Sequence, residues 1–160
     1  MEDTLRRLRP ALYLVALVFM LIPFVDVAAI SLPYEPTSIR WRFTSTGIAS
    51  NYLISPIFGA MLASIVVALG GHKNRIRIVA AFCGISAAIF LVVGMGLILD
   101  TLQWRNEIPS ENLQMFYIAS TKAFFKYFMT ALTFGLLGWS LFRLARGIGK
   151  VSSSRLMEEE

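Results

Sequence analysis

The chain has 160 residues, of which 56% are hydrophobic and 16% charged, with a net charge of +5 and one cysteine. The charged share is well below the roughly 25% of ordinary soluble domains, and the length suits one domain. Four apolar spans leave no room beside them for a soluble catalytic domain. A single cysteine, Cys83, excludes an internal disulfide. In a soluble chain the basic excess would point to nucleic acid. Here the basic residues gather at the ends of apolar runs, where orientation in a bilayer accounts for them, so no nucleic-acid partner is expected.

Residues 1–10 are short and basic, with Arg6, Arg7 and Arg9. Residues 11–30 form an apolar run longer than the usual signal-peptide core of about 7–15 residues. The run holds Pro23 and Asp26, and it reads as an uncleaved first span. Pro23 frees the carbonyl of Phe19 and marks a kink.

Residues 32–46 read as a loop that opens on the turn-forming Pro33, Tyr34, Glu35 and Pro36. Arg40, Trp41, Arg42 and Phe43 then alternate basic and aromatic character, which suits the headgroup boundary. Thr44, Ser45 and Thr46 offer N-cap oxygens. The second span, about 48–69, is interrupted by Asn51 and by Pro56. Pro56 frees the Tyr52 carbonyl and predicts a second kink. Small residues at Ala60, Ser64 and Ala68 make a smooth stripe four residues apart.

Gly70 or Gly71 can end that span in a left-handed cap before the polar turn around His72. The third span, about 76–99, contains the clearest apolar stretch. Ile78 to Leu99 holds no charge, no proline and no Asn or Gln. At ~1.5 Å per residue it covers about 33 Å, matching a hydrocarbon layer of about 30 Å. Its small residues are Ala80, Gly84 and Ala88, and the two stripes are predicted to meet in an antiparallel hairpin. Cys83 reads as a small core residue.

Asp100 to Ser110 reads as a loop, with Ser110 as an N-cap. From about residue 110 a helix can run unbroken to Arg146, with about 123–143 embedded. Leu113, Phe116, Tyr117 and Phe124 fall near one face. Residues 147–160 read as a flexible cytoplasmic tail.

The expected architecture is an all-α integral membrane protein, a four-transmembrane-helix bundle with both termini cytoplasmic. Its domains are a basic N-terminus at 1–10, a membrane domain at 11–146 and the tail. The side holding both termini carries Arg6, Arg7, Arg9, Lys73, Arg75, Arg77, Arg143, Arg146, Lys150 and Arg155. The opposite side carries Arg40, Arg42, Arg105 and Lys122. That asymmetry sets the orientation, most naturally in a plasma (inner) membrane.

Two ionisable residues lie within the spans, Asp26 and Lys126. A charge in the bilayer interior is costly unless paired or hydrated. Counted from the ends of their spans, the two sit at similar depth and are expected to pair, with Lys122 a competitor one turn away. No phosphate loop, dinucleotide fingerprint, HExxH or CxxC occurs. One histidine, His72, cannot build a His-based metal site. No enzyme activity, cofactor or metal is expected. The first functional expectation is a structural or accessory protein, or a complex subunit, acting through helix packing against a membrane-protein partner or a second copy. The second is a small-solute or ion transporter using Asp26 and Lys126.

Overall fold

A computed structural model describes the backbone of residues 2–158 and the side chains of residues 8–147. Arg6, Arg7, Lys150 and Arg155, which enter the charge asymmetry, therefore lie outside the described side chains. Five α-helices follow in order: α1 (Glu2–Ile30), α2 (Ile39–Ala49), α3 (Ile54–Gly70), α4 (Lys73–Trp104) and α5 (Leu113–Glu158). Short 3-10 segments occupy Ser50–Tyr52, Arg105–Glu107 and Ser110–Asn112. No strand occurs among the described residues.

Three helical stretches are long and apolar enough to cross a membrane: Leu8–Ile30, Lys73–Glu107 and Ser110–Gly147. A fourth crossing requires Ile39–Tyr52 and Ile54–Gly70 to be taken together, and these are bent by 47° at their junction. The 17 residues of α3 rise only about 25 Å, short of a hydrocarbon layer of about 30 Å. The bend lies at Leu53, three residues before Pro56, where the proline removes the amide that would have bonded the Tyr52 carbonyl.

Several boundaries differ from the sequence reading. Helix α4 continues to Trp104, through the first residues of the loop expected at Asp100 to Ser110. The segment expected as a loop before residue 48 is largely helix: α2 begins at Ile39, and Ser38 caps it by accepting from the Trp41 amide at 3.3 Å. Thr44, Ser45 and Thr46 therefore lie inside a helix, not at its cap. Ser110 opens a 3-10 turn, and α5 proper starts at Leu113. The same helix continues to Glu158, so residues 147–158, expected as a flexible tail, are helical. Gly71 ends α3 as expected, with φ at 66° in the left-handed region and its amide donating to the Ala68 carbonyl at 3.2 Å.

The helices pack principally as two pairs, α4 along α5 and α1 along α3. Small residues set both approaches. A Cβ on Gly138 of α5 would lie 3.1 Å from the Ala80 carbonyl and 3.3 Å from the Gly84 amide nitrogen of α4. A Cβ on Gly59 of α3 would lie 2.8 Å from the Ala16 carbonyl of α1. Close backbone approach of this kind is how membrane helices gain dispersion contact, since lipid offers no hydrophobic drive for helix association.

The predicted meeting of two small-residue stripes is corrected accordingly. Ala60, Ser64 and Ala80 are buried and Ala68 half-buried, but Gly84 and Ala88 are exposed. The inward face of α4 is instead Ile76, Ala80, Cys83 and Ala87. Ala60, Cys83, Ala87 and Phe134 share one core cluster, and Val67, Ile76, Ala80, Leu141 and Ala145 share another. The face of α4 is shifted because it must serve α5 along its whole length as well as α3. Cys83 is fully buried, in keeping with a core role.

Candidate functional site

The end of the bundle that carries the α1–α2 connection concentrates the polar side-chain contacts between helices. There α2 lies across the helix ends, and its Arg40–Phe43 stretch projects in several directions. Phe43 packs into a three-ring cluster with Trp104 of α4, at 5.0 Å between centroids, and Phe116 of α5, also at 5.0 Å. Trp41 points toward α1, where its indole nitrogen donates to the Ser31 carbonyl at 2.8 Å. Its ring meets Tyr34 edge-on at 4.8 Å. Arg42 turns to α4. Its Nη2 donates to Asp100 Oδ1 at 2.8 Å and its Nε to both carboxylate oxygens, at 3.2 and 3.3 Å. Its remaining Nη1 donates to the Pro36 carbonyl at 3.1 Å.

Arg42–Asp100 is the one salt bridge among the described residues. The Asp100 side chain is 12% exposed and that of Arg42 is 36% exposed. A nearly buried carboxylate so placed needs its partner, because an uncompensated charge out of water is costly. The planar fork of arginine reaches two carboxylate oxygens at once, which an ammonium cannot do.

Asp26 and Lys126, expected to pair with one another, do not. Lys126 Nζ instead donates to Asn51 Oδ1 of the bend at 2.6 Å. The reason is topological: α1 packs along α3, and α5 along α4. Asp26 is half-buried on α1. Lys122 is exposed and lines, with Tyr117 and Phe125, an open groove on α5. Of the residues expected on the α5 face, Phe116 is buried, Leu113 and Phe124 are half-buried and Tyr117 is exposed.

The two prolines come together. Pro23 of α1 and Pro56 of α3 are both buried and both line one cavity of about 320 Å³. The carbonyl of Phe19, which Pro23 leaves without its helical donor, accepts from the Ser55 hydroxyl at 2.7 Å. This is the outcome that hydrocarbon demands, since a freed backbone group there must find a partner. Across the cavity, the Tyr127 hydroxyl of α5 donates to the Thr46 carbonyl of α2 at 2.9 Å. The cavity walls are otherwise almost wholly apolar, including Phe24 and Val27 of α1, Ala49 and Leu53 at the bend, and Ile89 and Val93 of α4.

From sequence, Arg40, Trp41 and Arg42 form one interfacial group at the headgroup boundary. In the structure they separate. Arg42 pairs with Asp100, Trp41 holds the end of α1, and Arg40 stays exposed beside a second cleft. The Arg42–Asp100 pair, the Ser55 donor and the Tyr127 donor lie outside the sequence-based expectations. A signal for the first existed: Arg42 precedes the second span and Asp100 follows the third, so opposite charges fall at the same end of adjacent helices. Among the described residues no three His, Cys, Asp or Glu side chains gather into a metal-ligand group. No protein family matches the chain, nor does any curated protein or solved structure.

Proposed function

We propose that the protein is an accessory or structural subunit of the plasma (inner) membrane, crossing it four times with both termini in the cytoplasm, and that it works by offering a fixed helix face to another membrane protein. The bent pair α2–α3 serves as the second crossing. The observation that carries this reading is where the polar groups at membrane depth are spent. Ser55 serves the Phe19 carbonyl, Tyr127 the Thr46 carbonyl and Lys126 the Asn51 amide oxygen. Each holds one helix to another. Meanwhile α1 turns Leu14, Leu17, Leu21 and Val25 outward, a broad apolar face for lipid or a partner helix.

Two measurements test the reading. Reporter fusions after Arg75 should give a cytoplasmic signal and fusions after Glu107 an external one; the reverse pattern overturns the topology. Photo-crosslinkers at Leu17 and Leu21 should trap one defined membrane-protein partner or a second copy, and labelling of lipid alone would overturn the accessory role. The competing transporter reading requires a liposome flux that Asp26→Asn alters. The expected result is none.

A further inference from the structure

We propose that the chain holds one phospholipid with a primary amine in its headgroup, an acyl chain lying in the apolar cavity at the bend and the headgroup seated between Arg40 and Glu35. The inference rests on the chain being embedded in a bilayer and is independent of the accessory role.

Two adjoining spaces carry it. The first is the cavity of about 320 Å³ beside Pro23 and Pro56, within the roughly 300–1,000 Å³ range of small-molecule sites. Five elements converge on it, and nearly everything they present is hydrocarbon. The second is a cleft of about 360 Å³ lined by Glu35, Ser38, Arg40 and Thr44. Trp41 and Ser45 line both spaces, so an apolar chamber and a polar cleft adjoin across these two side chains. The dividing indole is held in place by its bond to Ser31.

The charges specify the occupant. Arg42 is committed to Asp100 and to the Pro36 carbonyl, so the cation facing the cleft is Arg40, which is exposed. A guanidinium is suited to bidentate contact with a phosphate. Glu35, exposed on the same cleft, opposes a purely anionic headgroup and complements an ammonium group. A phosphate joined to a primary amine satisfies both, and its attached chain requires a hydrocarbon slot next door. Phosphatidylethanolamine has this chemistry; phosphatidylglycerol lacks the amine, and phosphatidylcholine has an amine that cannot donate a hydrogen bond.

The test is reconstitution into vesicles of equal parts phosphatidylethanolamine, phosphatidylglycerol and phosphatidylcholine, extraction in a mild maltoside and native mass spectrometry. The expected result is one retained phosphatidylethanolamine per chain. Ala49→Phe and Val93→Phe, which fill the apolar chamber from different helices, should each lower retention about tenfold, the scale of forced overpacking. Glu35→Gln should reduce the preference for phosphatidylethanolamine over phosphatidylglycerol about threefold, as loss of an exposed charge pair would. Circular dichroism and gel filtration identify variants that fail to fold. If both Phe variants do so, Ala49→Val and Val93→Ile replace them, with a smaller graded loss expected. Absence of retained lipid, retention unaffected by filling the chamber, or indifference to headgroup with and without Glu35 would each overturn the proposal. A chain that holds no lipid yet still traps a partner through α1 would fail this inference alone and leave the accessory reading intact.

Discussion

The α4–α5 pair and the α1–α3 pair solve the same problem in opposite ways. In a bilayer both would have to satisfy the embedded backbone amides and carbonyls without water. Helices α4 and α5 do so internally: each is continuous, free of proline, and brought to its neighbour by small residues, as where Gly138 lies on the backbone of Ala80. Helices α1 and α3 carry Pro23 and Pro56, and their partner α2 stands off at an angle. There Ser55 of α3 serves the Phe19 carbonyl that Pro23 leaves without a helical donor, while Trp41 and Tyr127 tie α2 to the end of α1 and to α5 through the Ser31 and Thr46 carbonyls. The first pair should owe its stability to shape, and the second to the close approach at Gly59 together with the hydrogen bond from Ser55. The contrast also locates the cavity, which opens where the backbone is interrupted and not where the helices run unbroken.

The comparison can be broken most severely at its shape-dependent half. Gly138→Leu should cost about 3 kcal/mol, the upper range of core overpacking, read as earlier unfolding of the detergent-solubilised protein. Gly59→Leu should cost less, about 2 kcal/mol, because α1 has few buried residues to lose. Cysteine crosslinking between α1 and α3 should then fail while α4 and α5 still crosslink. If the two substitutions were equally damaging throughout the bundle, the division into two pairs would be wrong.

Next comes the charge that ties α2 to α4. Arg42→Ala should lower the denaturation midpoint by stranding the Asp100 carboxylate, and Arg42→Lys should recover less than half of that loss. Replacing both residues by leucine should be milder than either single loss, as for other low-exposure ion pairs. Denaturation midpoints of the four proteins check this.

Smaller still, and more diagnostic, is the Pro23–Ser55 relation. Ser55→Ala should cost roughly 0.6–1.7 kcal/mol, the span measured for hydrogen bonds between membrane helices. Adding Pro23→Ala should cancel most of the loss, because the alanine amide restores the helical bond to Phe19. A double variant no more stable than Ser55→Ala alone would refute the account. The smallest coupling is expected between Asp26→Asn and Lys126→Met, whose costs should add to within about 0.5 kcal/mol, as for sites that do not touch.

Much of this was legible from residues alone. The length of the Ile78–Leu99 run announced a helix long and apolar enough to cross a membrane, Gly71 the end of α3, and Pro56 the bend. Pro23 correctly implied that Phe19 needed a donor, though not that Ser55 would supply it. What hydropathy could not rank was which apolar face turns inward. In lipid the outer surface is as greasy as the core, so Gly84 and Ala88 look as suited to packing as Cys83 and Ala87, and only the position of α5 decides between them. The Asp26–Lys126 pairing failed for a related reason: depth can be counted along a helix, but adjacency cannot. Helix α2 was hidden because IRWRFTSTGIA lacks apolar periodicity and is rich in β-branched residues. Its Arg42 and Phe43 contacts, made to distant parts of the chain, hold it in place.

The hydroxyl on the Phe19 carbonyl has one further effect. In hydrocarbon, where no solvent could replace it, α1 could neither spin about its axis nor slide by a residue without leaving that oxygen bare. Ser55 thus acts as a key in a slot, fixing which side of α1 looks outward. A neighbour reading Leu17 and Leu21 would always find them in the same place.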